Sequence, residues 1–209
     1  IRMNKSFNIG VLFMDEGMSG LTHDYFANIL NSFKVTAESK GYDITFINSS
    51  KKYKKGKTYL EHCRYRGLDG VVIACIHFDN PEVIELVESD VPVVTIDHKY
   101  NGHIAVMSNN FVGMKELVEY VISMGHKRIA YIFGDVTSVT QQRLESLRKT
   151  TKAHGIVLPD EYLCPSEYRN LEMAAKYTKQ LLKLENPPTC IIYSDDYSAV
   201  GGIGQIRAM

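Results

Sequence analysis

The sequence lacks three features that would assign it to a specialised class of protein. Its 24 basic and 24 acidic side chains leave no formal net charge, so no bulk field drives it towards nucleic acid or a membrane surface. Its longest apolar run, residues 71–76, has only six residues, whereas a membrane span needs about 20. None of its four cysteines forms a C-x-x-C pair, which argues against a zinc ribbon or a thioredoxin-type motif.

What is present is typical of a folded globular protein. The chain has 209 residues, 44% of them hydrophobic and 23% charged, which allows one large domain or two small ones and excludes a disordered chain. The cysteines are predicted to be buried or half-buried free thiols, which suits a reducing compartment. The N-terminal stretch IRMNKSFNIGVLF has too short an apolar core for a signal peptide. We therefore expect a cytoplasmic protein with no membrane partner.

Short β-rich runs alternate with helical patterns along the chain. The predicted strands are residues 8–13, 43–47, 70–76, 91–96, 128–133 and 189–193. Helical spacing fills the stretches between them, for instance from Asp24 to Gly41 and from Gln141 to His154. This βαβ alternation predicts an α/β fold with parallel sheets flanked by helices.

The pattern restarts near residues 125–128, so we expect two Rossmann-like lobes. The N-terminal lobe would cover residues 8–125 and the C-terminal lobe residues 126–209. The second lobe shows only two clear strands, which is a marginal sheet. Either the chain is cut or its missing part supplies the remaining strands.

A ligand site is expected where the strands end, because open parallel sheets bind ligands beyond the carboxyl ends of their strands. The candidates there are aromatic residues, acidic residues and one arginine: Tyr25, Phe26, Asp97, Arg143, Asp195 and Asp196. Carboxylates accept hydrogen bonds from hydroxyl groups, and arginine donates two hydrogen bonds in a fork. Aromatic faces can cover the apolar face of a sugar ring. The set predicts a small polyhydroxylated or similarly polar ligand, bound in a cleft to which both lobes contribute.

Structural roles for the same residues stay open. Asp195 and Asp196 are as well placed to cap the last helix, and Tyr25 and Phe26 have the spacing of core residues.

Several stretches carry the resemblance to a known family. They are NIGVLF, DYFANIL followed by ESKGYDITFINS, GLDGVVIA, VPVVTIDH, MGHKRIAYIFGD, SVTQQRLESLRKTTKAHGI and PTCIIYSDDYSAVGGI. In this order and spacing the chain resembles the LacI/GalR family of bacterial transcriptional repressors from about Asn8 onwards. The similarity is to their effector-binding core, which resembles type I periplasmic sugar-binding proteins.

The resemblance implies roles for individual residues. Tyr25 and Phe26 stand where family members place ring-stacking aromatics. Asp97 and Arg143 match a ligand-contacting aspartate and arginine. Asp195 and Asp196 stand where many members have an Asn-Asp pair. Asp196 matches the second residue of that pair, whereas Asp195 replaces its asparagine.

Two further departures affect the expected ligand. His98 stands where arginine is common, and Asn109-Asn110 stands where Asp-Asn is common. These departures leave the identity of the effector open.

The function expected from the resemblance is a ligand-sensing regulator core and not an enzyme. It implies a homodimer whose interface includes helices of the first lobe. It also implies that operator DNA is bound through a helix-turn-helix that would precede Ile1. Ligand held between the lobes would favour a closed arrangement and so alter operator binding. The alternative is an extracytoplasmic sugar-binding protein that serves a transporter.

Other signals do not point to a second function. The basic run at Lys51, Lys52, Lys54, Lys55 and Lys57 is typical of a solvated loop. His98 and His103 lack further zinc-ligand types nearby, so no metal and no cofactor is expected. Three glycines, Gly201, Gly202 and Gly204, fall inside a predicted helix. Each should weaken the helix by about 1 kcal/mol, and tight packing is the one physical reason that would explain their presence.

Overall fold

The computed structural model of the protein describes residues 5–14, 21, 24–48 and 56–209. They form two compact units that divide between Ser108 and Asn109. Lys51, Lys52, Lys54 and Lys55 of the basic run lie outside the described residues.

The first unit is a five-stranded parallel sheet in the order β2-β1-β3-β4-β5. Its elements in chain order are β1 Asn8–Phe13, α1 Asp24–Ser39, β2 Asp43–Phe46, α2 Tyr59–Arg66, β3 Gly70–Ala74, α3 Pro81–Val87, β4 Val93–Ile96 and β5 Ile104–Val106.

The central strand β3 is buried on both faces, as its uninterrupted apolar run predicts. Val71 and Ile73 belong to the core cluster under α2 and α3. Val72 and Ala74 alternate to the opposite face, where they pack with aromatic side chains of α1. This second cluster holds the start of α1 against the sheet and so fixes the position of Tyr25 and Phe26.

The second unit is a three-stranded parallel sheet in the order β7-β6-β8. Its elements are α4 Asn110–Ser123, β6 Ile129–Phe133, α5 Ser138–Ala153, β7 Leu163–Pro165, α6 Leu171–Leu181, β8 Cys190–Tyr193 and α7 Asp196–Arg207. In β6, Ile129 and Tyr131 face the core under α4 and α5, while Ala130 and Ile132 face the core that includes Leu181 of α6. The predicted class, parallel sheets flanked by helices, is confirmed.

The structure differs from the predicted organisation in two respects. Residues 109–125 lie in the second unit, because the apolar face of α4 packs against Ile129, Tyr131 and Leu147. The second sheet also has three strands, because β7 adds to the edge of β6. Both missed strands, β5 and β7, have only three residues.

Close packing of α7 against α6 and β8 accounts for two of the three glycines in α7. A β-carbon on Gly201 would lie 2.8 Å from the Leu171 Cα atom of α6, and one on Gly202 would overlap the ring of Tyr193, the last residue of β8. Contacts this short do not occur between real atoms, so a side chain at Gly201 forces α7 away from α6, and one at Gly202 displaces Tyr193. Gly204 faces open space within the described part of the chain.

Of the helices in the described ranges, none combines the length and apolar character that a bilayer crossing requires.

Candidate ligand-binding site

Tyr25 and Asp97 meet in the first unit. The Tyr25 hydroxyl donates a hydrogen bond of 2.8 Å to Asp97 Oδ2, and the tyrosine is 44% exposed. Asp97 directly follows β4 and has a left-handed backbone with a φ of 61°, which aspartate tolerates better than most residues. Its amide donates to the Val106 carbonyl of β5 at 3.0 Å. The short strand β5 therefore helps to hold the carboxylate in place.

Phe26 lies deeper than Tyr25. Its ring contacts Phe13 edge-to-face at 5.5 Å and Tyr25 at 5.0 Å between centroids, and it packs against the core cluster of Val72. This is a core contact, so the structure gives Phe26 a packing role, and contact with a ligand stays a prediction.

Rings from the loops after β3 and β4 form an aromatic cluster beside Asp97. His98 stacks on Phe78 with the planes 6° apart and the centroids at 4.4 Å, and it contacts Tyr100 at 4.7 Å. The Tyr100 hydroxyl donates to the Phe78 carbonyl. Burial lowers the pKa of His98, although Asp79 opposes the change, so the imidazole is neutral at pH 7. Among the described residues no group of three His, Cys, Asp or Glu side chains could hold a metal ion.

Arg143 projects from α5 in the second unit and is half-buried. Its Nε donates to Asn110 Oδ1 at 3.0 Å, and its Nη1 donates to the Ser194 carbonyl at 3.2 Å. Both acceptors are uncharged. No carboxylate in the described ranges lies within ion-pair distance of this guanidinium.

Asp195 is the N-cap of α7. One carboxylate oxygen accepts from the Ser198 amide at 2.9 Å, and the other accepts from the Arg169 amide and from the Ser194 and Ser198 hydroxyls. Burial opposes ionisation, but the hydrogen bonds outweigh it and lower the pKa of Asp195. Asp196 is the exposed first residue of α7. The capping role proposed from the sequence therefore applies to Asp195, and ligand contact by either aspartate stays a prediction.

The loop after β7 adds residues that the sequence analysis missed. The Tyr168 hydroxyl lies 2.8 Å from Thr140 Oγ1, and its ring lies so close to Gly134 that a β-carbon there would be 2.7 Å from it. The next residue, Arg169, places its guanidinium 3.9 Å from the centre of the Tyr197 ring. Recognition of Leu163–Pro165 as a strand would have placed this loop at the carboxyl edge of the sheet.

Two buried hydroxyls near this edge have no hydrogen-bond partner among the described residues: those of Tyr131 and Ser166. Burial is the main cause that raises the pKa of Tyr131 to about 12, and the nearby positive charge of Arg143 opposes the change. The phenol is therefore neutral at physiological pH. It is a third uncharged group beside Arg143.

The sequence matches one family profile over nearly its whole length. Residues 7–208 match the profile described as periplasmic binding proteins and sugar binding domain of LacI family.

Named relatives of the chain are transcriptional repressors. It is 28% identical to the probable HTH-type transcriptional repressor ExuR of Bacillus subtilis, over all of this chain and 61% of that protein. It is 23% identical to the HTH-type transcriptional repressor CytR of Escherichia coli K12, over 99% of this chain and 60% of that protein. The chain thus spans about three fifths of the length of these relatives.

Solved structures share the fold. A putative transcriptional regulator LacI from Bacillus cereus subsp. cytotoxis superposes with a TM-score of 0.84 at 23% identity, over 96% of this chain and 72% of that chain. The transcriptional regulator CelR in complex with cellobiose superposes with a TM-score of 0.78 at 19% identity, over 98% and 63%. At these identities the likeness establishes the fold alone.

Proposed function

The chain belongs to the family of periplasmic binding proteins and LacI sugar-binding domains, and from that premise we propose that it is the effector-binding core of a bacterial transcriptional regulator. The effector would be a small polar molecule, probed first with sugars. The observation that carries the proposal is the match over residues 7–208 together with relatives that are repressors by name. These relatives favour a regulator over a transporter's binding protein and over an enzyme.

The ligand contacts proposed are Tyr25 and Asp97 from the first unit and Arg143 from the second. The Tyr25–Asp97 pair offers a carboxylate that is already oriented by a hydrogen bond of 2.8 Å. Arg143 offers a guanidinium that donates hydrogen bonds to two neutral oxygens, those of Asn110 and Ser194. Such groups recognise a ligand with several oxygen atoms. Phe26, Asp195 and Asp196 are weaker candidates, since the first packs in the core and Asp195 caps a helix.

The proposed mechanism is a change in the balance between two arrangements of the units. An effector that binds one arrangement more tightly shifts the population towards it, by the difference between its two affinities. Couplings of about 1–3 kcal/mol are typical of such linkage. In the whole regulator the shift would alter how a dimer fits two operator half-sites. A regulator that binds operator DNA would act in the cytoplasm, so a cytoplasmic location is part of the proposal.

A homodimer is part of the proposal. Val35 of α1 is 58% exposed and Phe46 of β2 is 51% exposed. Phe46 also lines a cavity of about 540 Å³, together with Leu30 and Phe33 of α1. Exposed apolar surface of this kind marks association sites. We expect Phe46→Arg to shift the protein to a monomer in analytical ultracentrifugation, while Tyr65→Arg, at a residue 71% exposed on α2, leaves the dimer unchanged.

Calorimetric titration tests the sensing function. Sugars and nucleosides are titrated into the wild-type protein and into Arg143→Ala. Loss of a hydrogen bond to a charged group costs about 1.5–3 kcal/mol, so we expect affinity to fall about 10- to 100-fold. The matched control is Arg148→Ala on the same helix, where the arginine faces solvent beside Asp160. Absence of binding by every compound, or equal affinity in Arg143→Ala and wild type, would contradict the proposal.

A further inference from the structure

The turn between β4 and β5 has an asparagine and a glycine at its tip. The His103 amide donates to the Tyr100 carbonyl at 3.2 Å and closes the turn around Asn101 and Gly102. Both tip residues are exposed, and Gly102 has a left-handed φ of 79°. A β-carbon on Gly102 would meet no atom of the described residues within 4 Å. The tip is therefore unpacked and accessible to water.

Asn101 is the only one of the eleven asparagines in the sequence that precedes a glycine. This pairing has a chemical consequence, because the backbone nitrogen that follows an asparagine can attack the carbon of its side-chain amide. A β-carbon on the following residue hinders this approach, and glycine has none. Within the described ranges, neither the Asn101 side chain nor the Gly102 amide makes a hydrogen bond that would hold it away from the other. The two reacting groups can therefore meet.

A second glycine-preceding side chain is locked by the fold. Asp69 precedes Gly70, and its two carboxylate oxygens accept hydrogen bonds of 2.9 Å from the amides of Ser6 and Phe7. The bond from Ser6 contributes most to lowering the pKa of Asp69, and an ionised carboxylate reacts with a nitrogen nucleophile far less readily than an amide does. Gly70 itself is paired with β1 as part of β3. The structure thus protects Asp69 and leaves Asn101 open.

We propose that Asn101 is a site of spontaneous deamidation, at which a cyclic imide forms with Gly102 and opens to isoaspartate or aspartate. The Gly102 nitrogen gives its proton to a solvent base and bonds to Asn101 Cγ, and the side-chain nitrogen takes up a proton and leaves as ammonia. Water then opens the imide. Addition at Cγ gives aspartate, whereas addition at the main-chain carbonyl carbon gives isoaspartate, whose backbone runs through Cγ. Each conversion consumes one water molecule and releases one ammonia molecule.

Isoaspartate at this position would alter the connection that holds Asp97. The strand β5 has only three residues, and its Val106 carbonyl accepts the hydrogen bond of 3.0 Å from the Asp97 amide. Isoaspartate lengthens the backbone of the turn by one methylene group and adds a negative charge, so the bond between His103 and Tyr100 no longer fits. We expect β5 to detach from β4 more often and the Asp97 amide to become less protected. The inference needs no assumption about the effector, because the reaction involves only the chain and water.

Peptide mapping by mass spectrometry tests the reaction. Wild-type protein is incubated at pH 8 and 37 °C, and deamidation is followed at each asparagine. Trypsin releases residues 100–115 as one peptide, so Asn101 is compared with Asn109 and Asn110 in the same fragment. We expect Asn101 to convert at least about tenfold faster than any other asparagine, with isoaspartate among its products. A smaller ratio overturns the inference.

Two positions elsewhere in the chain serve as matched controls in the same samples. Asn31 is exposed and precedes the small residue Ser32, but its backbone is helical within α1, so it should keep its amide. Asp69 precedes a glycine but is locked, so it should form no isoaspartate in the folded protein. Conversion at either control as fast as at Asn101 would show that the open turn does not select the site, and would overturn the inference.

Two variants separate the covalent change in the backbone from its charge. Asn101→Gln would need a larger imide ring and should lose almost all conversion, whereas fresh Asn101→Asp carries the charge on an ordinary backbone. Hydrogen exchange at the Asp97 amide gives the structural readout. It should be about tenfold or more faster in aged than in fresh wild type, and unchanged in aged Asn101→Gln and in fresh Asn101→Asp. Equal exchange in aged and fresh wild type, or the same acceleration in aged Asn101→Gln, overturns the effect on β5.

Discussion

Replacing glycine by alanine in α7 should change the free energy of unfolding in opposite directions at two positions within one helical turn. Gly201 lies against the backbone of Leu171, and the added β-carbon of Gly201→Ala would sit 2.8 Å from the Leu171 Cα atom. Gly204, three residues on, faces open space. Alanine is favoured over glycine in a helix by about 1 kcal/mol, so Gly204→Ala should raise the free energy of unfolding by about that amount.

Gly201→Ala gains the same helical preference but must separate two helices. Overpacking costs about 1–3 kcal/mol, and the upper end applies because the obstructing atoms belong to a backbone and cannot rotate away. The net effect is a loss of about 2 kcal/mol. The two variants should therefore differ by about 3 kcal/mol although each adds a single methyl group.

Urea denaturation followed by circular dichroism measures both variants in the same protein. Tyrosine fluorescence gives a second signal, because the chain has 13 tyrosines and no tryptophan. At about 2–4 °C per kcal/mol for a chain of this size, the melting temperatures should differ by about 6–12 °C. If Gly201→Ala is as stable as wild type, α6 and α7 do not approach as closely as the structure shows, and the reasoning fails.

Three further predictions concern protonation and hydrogen bonding. Because hydrogen bonds lower the folded-state pKa of Asp195, its stabilisation should be complete above the ordinary value of 3.8 and lost as pH falls through the lowered pKa; Asp195→Asn should flatten that acid limb of the stability curve measured by urea titration. Burial raises the pKa of Cys63 and Cys164 to about 11, so at pH 8 only about 0.1% of each is thiolate against about a quarter of a free cysteine; labelling by a thiol reagent, read by mass spectrometry, should be over 100-fold slower at both sites than in urea, and equal rates would contradict the burial. Tyr25→Phe removes an exposed hydrogen bond to Asp97, so it should lower the free energy of unfolding by about 0.5 kcal/mol or less, while calorimetry should show weaker effector binding; unchanged affinity would remove Tyr25 from the site.

Most of the fold was predictable because its strands and helices are long and regular. The short apolar run through Gly70–Ala74 indicates a strand covered on both faces, and the helical spacing from Asp24 indicates that one stripe of α1 packs against the sheet. The two strands that escaped prediction have three residues each, too few for a period to appear. Leu163–Pro165 also ends in proline, which only an edge strand accommodates.

The boundary between units was misplaced for a related reason. The amphipathic pattern of α4 shows that one face is buried, but not which sheet buries it. That is decided by complementarity between Met114, Val118 and the side chains of β6 and α5. Local sequence does not encode this choice, since an apolar stripe fits either sheet.

The sequence predicts which candidate site residues lie at the ends of strands, but it does not predict which other side chains they contact. The sequence placed Arg143 near the carboxyl edge because it follows β6, yet its contact with Asn110, 33 residues earlier, depends on how α4 and α5 pack. Tyr168 and Arg169 were missed together with β7. A missed edge strand thus removes a whole loop from the expected site.

Asp195 shows how a departure from a family pattern can have a cause inside the fold. Asparagine would present one acceptor and one donor group, whereas three donors converge on a single oxygen of Asp195 and a fourth reaches the other. Asparagine at this position could still cap α7 through its Oδ1 atom, but its NH₂ group would then face the Arg169 amide, and an unsatisfied buried donor costs about 1–3 kcal/mol. One of the donors, the amide of Arg169, follows Tyr168 in the loop after β7, where Arg169 itself has a left-handed φ of 60°. The carboxylate therefore matches the geometry of that loop, so the aspartate at 195 has a structural cause and is no sign of a cationic ligand.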